Sequence, residues 1–123
     1  MIRVSPERFE ELVLQAVEAL PGEFLSRLDN VDVVVQDRPT REQLAQQGLG
    51  RGQTLFGLYQ GVPMTHRHSY GSVLPDKITI FQRPLENVCN TEEELVEEVR
   101  ATVIHEIAHF FGIGDERLDE LGL

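Results

Sequence analysis

His105 and His109 stand four residues apart in the run His105-Glu106-Ile107-Ala108-His109-Phe110-Phe111-Gly112-Ile113-Gly114-Asp115, an HExxHxxGxxD pattern. Residues at that spacing stack on one face of an α-helix, so both imidazoles can address a single ion about 2 Å away. Glu106 is rotated by one residue, beside the ion rather than on it. There it can take a proton from a zinc-bound water whose pKa has been lowered to about 7. Gly112 permits the left-handed turn that closes a helix, and Asp115, six residues after His109, can return to the ion as a third ligand. A bare HExxH arises by chance in on the order of a few chains per thousand of this length, and requiring the Gly and the Asp removes roughly two further decades. The pattern therefore points to a mononuclear zinc hydrolase site.

The surrounding residues predict the helix that such a site needs. Thr91-Glu92-Glu93-Glu94 reads as a capping box, with Thr91 as N-cap, Glu94 reaching back and acidic residues at the positive end of the dipole. A helix from Glu92 to Phe111 follows. Val96, Val99, Val103, Ile107, Phe110 and Phe111 form its core stripe, roughly opposite the histidines. Glu98, Ala101, Thr102 and Ala108 share the histidine face, where small residues leave room for an ion and a substrate.

The segment HEIAHFFGIGDERLDELG resembles the small zincin-like metallopeptidase family of bacteria, short domains with HExxHxxGxxD followed by a leucine-bearing terminal helix. The stretches Leu55 to Pro63 and Leu74 to Phe81 are similar to that family's segments upstream of the active helix, so the likeness covers most of the chain after about residue 54. The resemblance implies a zincin-like fold, bound Zn2+ with His105, His109 and Asp115 as ligands, and Glu106 as general base. It implies no known substrate. The larger metzincin pattern is not met, because Asp115 stands where that group has His and the eight residues after it leave no place for a methionine turn; Met1 and Met64 both lie upstream. A carboxylate ligand makes the ion a weaker Lewis acid, which suits slow or selective turnover.

With 123 residues and 41% hydrophobic content, one zincin-like domain over 1–123 is expected. Eleven Lys plus Arg against 21 Asp plus Glu give a net charge of −10, which repels phosphate backbones and argues against nucleic acid. Cys89 is alone, so no intrachain disulfide forms and a reducing cytoplasm suits the chain. It reads as a small packed residue. The opening Met1-Ile2-Arg3-Val4-Ser5-Pro6 starts a helix rather than a signal core, and no 18-residue apolar run is present, so neither secretion nor membrane insertion is expected.

Along the chain, Ser5 and Pro6 start a helix whose Phe9, Leu12, Val13, Ala16, Val17 and Leu20 recur at helical spacing until Pro21-Gly22. A turn of helix is expected over Glu23 to Leu28, a strand over Val31 to Val35, and a helix from the cap Thr40 through Gln47. Gly48 to Gly52 reads as a mobile loop. Strands follow at Thr54 to Gln60 and at Lys77 to Gln82. Pro84 marks the second as an edge or terminus, since proline cannot donate to a ladder. A substrate strand is accordingly expected to add along Lys77 to Gln82. The fold class is α+β, a small mixed sheet packed on the metal-bearing helix.

His66, His68 and Tyr70 lie in the segment between those strands. Each reads first as a solvated loop residue, and one of the three can offer a donor to the oxyanion formed when water attacks a carbonyl. Three function classes compete. The first is a zinc peptidase acting on an extended polypeptide. The second is a zinc-dependent RNA-processing hydrolase, disfavoured by acidity and by Glu106 and Asp115 standing where such enzymes have other residues. The third is a non-catalytic domain in which zinc staples the last turn; Glu106 argues against it, because a structural site needs no base.

Overall fold

The computed structural model describes residues 1–50, 52–61, 76–113 and 120. Met64, His66, His68, Tyr70, Asp115 and most of the expected terminal helix lie outside the described residues. Helix α1 spans Pro6–Glu18 and begins as its sequence dictates, with Pro6 at its first position and Ser5 Oγ accepting from the Arg8 N–H at 3.1 Å. Its Phe9, Leu12, Val13 and Ala16 are buried. A short helix α2, Gly22–Leu25, runs into a single 3-10 turn, Ser26–Leu28. Helix α3, Arg41–Gln46, carries a complete capping box: Thr40 Oγ1 accepts from the Gln43 N–H and Gln43 Oε1 accepts from the Thr40 N–H.

Three strands, β1 (Val31–Gln36), β2 (Gly57–Gln60) and β3 (Asp76–Phe81), form a mixed sheet in the order β1-β3-β2. β1 pairs with β3 in parallel, Val33 opposite Ile78, and β2 pairs with β3 antiparallel, Tyr59 opposite Ile78. The strand expected at an edge is thus the central one. Of the two readings that Pro84 allowed, the terminus holds and the edge does not, because β3 stops at Phe81 and Pro84 itself lies beyond the strand. It sits in helix α4, Gln82–Val88, which starts directly after β3, and in a first helical turn a missing N–H breaks no bond. Substrate addition along Lys77 to Gln82 is therefore overturned, because β3 is paired on both sides.

Val33, Val35, Ile78, Ile80 and Tyr59 share the sheet face that joins α1 in one core. Helix α5, Glu92–Phe111, completes that core with Leu95, Val99, Val103 and Ile107, all fully buried. Burying side chains of this size contributes about 1.5–3 kcal/mol each. α5 matches its expected bounds, with one change at its start. Thr91 Oγ1 accepts from the Glu94 N–H, but the Glu94 carboxylate takes the N–H of Asn90, not of Thr91. Cys89 is buried as read, and burial, then the Glu98 and Glu94 carboxylates, push its thiol up, away from nucleophile chemistry. Among the described residues no helix is long and apolar enough to cross a membrane.

Candidate functional site

His105 and His109 lie on successive turns of α5, both exposed, on the side turned away from Val99, Val103 and Ile107. The His105 ring is oriented: its Nδ1 lies 2.8 Å from the Ala101 carbonyl oxygen, which can only accept. The Nδ1–H therefore donates to that carbonyl, and Nε2 is the nitrogen left to act as a ligand. Such a backbone partner on the far nitrogen is how ligating histidines are fixed in tautomer and direction.

Glu106 is held from the sheet. The Tyr59 backbone N–H donates to Glu106 Oε1 at 3.0 Å, joining β2 to α5. The geometry follows from strand pairing. The Phe81 N–H donates to the Phe56 carbonyl, so Phe56 faces β3 and, by alternation, Gly57 and Tyr59 direct their backbone groups to the edge away from β3. Burial pushes the Glu106 carboxyl above its ordinary range; the Tyr59 N–H and the charges of His109 and His105 pull it down. Tyr59 is itself pinned, with its phenol donating to Asp76 Oδ2 at 3.1 Å and its ring stacked on Phe110 at 3.9 Å between centroids.

Phe110 and Phe111 correct the expected core stripe. They have its angular position, but α5 has by then run past the core to the rim of β2, where both rings are exposed against Tyr59 and Arg27 lies 5.0 Å over Phe111. Ala108, placed on the histidine face by spacing, is buried in the core instead. The helix ends at Gly112, left-handed at φ 69, where the Ile113 N–H returns to the Ala108 carbonyl at 2.8 Å.

A groove of about 310 Å³ runs along α5 beside the start of β2, lined by Glu98, Ala101, Thr102, His105 and Glu106 from the helix and by Thr54 to Gly57 opposite. A larger groove of about 440 Å³ lies between α1 and β1, but its lining is valine and leucine with Glu10, which supplies no constellation for chemistry. Among the described residues no three His, Cys, Asp or Glu side chains gather closely enough to hold an ion. His105 and His109 are imidazoles of the kind zinc takes, at helical spacing and one oriented through its Nδ1, while Asp115, the expected third ligand, lies outside the described residues. Tyr59 is the site residue that sequence reading missed. A backbone N–H carries no motif, and only the alternating pattern of β2 hinted at its direction.

The chain matches the zincin-like metallopeptidase family over residues 28–123 and belongs to it. Among solved structures it is similar to a conserved hypothetical protein from Thermus thermophilus, with 22% identity over 88% of this chain and 94% of that one and a TM-score of 0.56, a likeness of fold. No curated protein matches it.

Proposed function

We propose that this chain is a zinc-dependent peptidase that hydrolyses amide bonds of extended polypeptides. His105, His109 and Asp115 would hold the ion, and Glu106 would act as general base. The observation that carries the reading is the Tyr59 to Glu106 bond, because a carboxylate beside two ligand-type histidines is fixed by the strand that borders the groove. A structural zinc site needs no such base. Zinc, when bound, supplies a Lewis acid that polarises a carbonyl and acidifies water.

The rest belongs to the chain. Glu106 Oε1 is occupied by Tyr59, which leaves Oε2 to accept the proton of the attacking water and to pass it to the leaving nitrogen. The edge of β2 away from β3, which pairs with no strand among the described residues, offers the Gly57 N–H and carbonyl to an extended substrate, which can pair backbone to backbone there and hold its scissile bond still. The net charge of −10 favours basic polypeptides over nucleic acid.

Glu106→Gln keeps the side chain's size and its bond to Tyr59 but cannot take a proton. Zinc content should be unchanged while hydrolysis of an unfolded polypeptide falls by about two decades or more. Equal rates in wild type and variant would favour the zinc staple, and cleavage of a structured RNA alone at matched salt would favour the RNA hydrolase.

A further inference from the structure

Glu98 stands seven residues before His105 on the same stripe of α5, with Ala101 and Thr102 between them, and forms the far end of the groove. Its side chain is exposed, and none of the ion pairs among the described residues involves it. Other carboxylates here are engaged: Glu86 faces Arg3 and Arg83, and Glu92 faces Arg8. Among the described residues, Ala101 and Thr102 are the side chains that line the groove between Glu98 and His105, and both are small.

We propose that Glu98 is a specificity-determining residue which selects a Lys or Arg side chain of the substrate, set off from the scissile bond toward the N-terminal end of α5. The proposal rests on the peptidase reading above. Seven residues of helix span about 10 Å, the length of roughly three residues of extended chain. A basic residue two to four positions from the scissile bond thus brings its charge to Glu98 while the carbonyl lies at His105. An apolar residue there leaves the carboxylate in water, neither helped nor harmed. Because Glu98 is exposed, the pair adds only a modest preference, roughly two- to fivefold, and salt weakens it.

The probe is a set of alanine-based peptides of about ten residues, in which a single Arg, a single Glu or a single norleucine is moved along the sequence. With the zinc-loaded full chain, Arg should be preferred at one position by roughly two- to fivefold in kcat/KM, the difference lying in KM. Glu98→Gln should bring the Arg to norleucine ratio to about one, Glu98→Asp should keep part of it, and Glu98→Lys should make Glu the preferred residue at that position. The same ratio surviving in Glu98→Gln would overturn the proposal. Binding of the set to zinc-loaded Glu106→Gln protein, by fluorescence anisotropy, separates this inference from the peptidase reading. If wild type cuts no peptide, yet Arg peptides bind more tightly than norleucine peptides only while Glu98 is present, the groove assignment stands and the peptidase reading falls. Binding that ignores both Arg and Glu98 overturns the assignment.

Discussion

Gly57 of β2 lies against Thr102 of α5 so closely that a Cβ on the glycine would come within 2.6 Å of Thr102 Cγ2 and 3.3 Å of the Thr79 carbonyl oxygen. Thr102 is not free to swing aside, because its Oγ1 donates to the Glu98 carbonyl at 2.7 Å. Gly57→Ala therefore has to lift β2 from the helix, two residues before the N–H that holds Glu106. The expected cost is about 1–3 kcal/mol. Thr102→Ser removes only Cγ2 and keeps the hydroxyl bond, so it should recover part of that loss. Denaturant unfolding of the two single variants and the double variant measures the coupling; strictly additive effects would mean that the close approach is not the cause.

The helix that carries the motif was legible because three independent signals agreed on it: a cap at Thr91, an apolar stripe through Val99, Val103 and Ile107, and Gly112 to end it. α4 was not. Its N-cap Phe81 has no side-chain acceptor, and its Pro84 looks the same after a strand as inside a first turn. The wheel gave Phe110 and Phe111 the right angle but says nothing of height along the axis, and at their height the core has ended. The Tyr59 to Glu106 bond joins residues 47 apart, so it depends on strand order, which β1, β2 and β3 do not encode in their own residues.

Acid should remove one tie between α1 and α5. The hydrogen bond from Arg8 holds the Glu92 carboxyl below its ordinary value, and Arg8 Nη2 lies 2.8 Å from Glu92 Oε1. A group whose folded pKa is depressed adds stability above its unfolded pKa, about 4.3, and loses it as pH falls through the folded value. The position of Glu92 at the N-terminus of α5 acts in the same direction. Wild type should melt above Glu92→Gln at neutral pH, and the gap should close below the ordinary glutamate range. Thermal melts from neutral pH into strong acid test this; a gap that widens in acid would contradict it.

Glu86 is a carboxylate only 1% exposed, and it ties the N-terminal segment to α4. Its Oε2 accepts from the Val4 N–H at 2.9 Å and from Gln82 Nε2 at 3.2 Å, and Arg83 Nε lies 3.4 Å from Oε1. Removing the carboxylate leaves the part-buried Val4 N–H without its partner and Arg83 without its ion pair, while Gln82 Nε2 keeps the Val4 carbonyl. Glu86→Ala should cost about 3 kcal/mol, and Glu86→Gln, which keeps an acceptor for Val4, clearly less. Equal losses in urea unfolding would show that volume, not hydrogen bonding, is what Glu86 contributes.

Zinc binding should separate the proposed ligands from their acidic neighbours. Titration calorimetry on metal-stripped protein is expected to give about one zinc per chain. His105→Ala and His109→Ala should each abolish that binding, since each leaves two protein ligands of three. α5 ends at the left-handed Gly112, three residues before Asp115 in the sequence, whereas Glu120 is exposed and helical. Asp115→Ala should weaken zinc at least about tenfold, while Glu120→Ala should leave it unaltered. If Glu120→Ala weakens zinc and Asp115→Ala does not, the third ligand has been misassigned and the return path runs through the terminal helix. Unchanged affinity in both histidine variants would remove the metal site altogether, and with it the role assigned to Glu106.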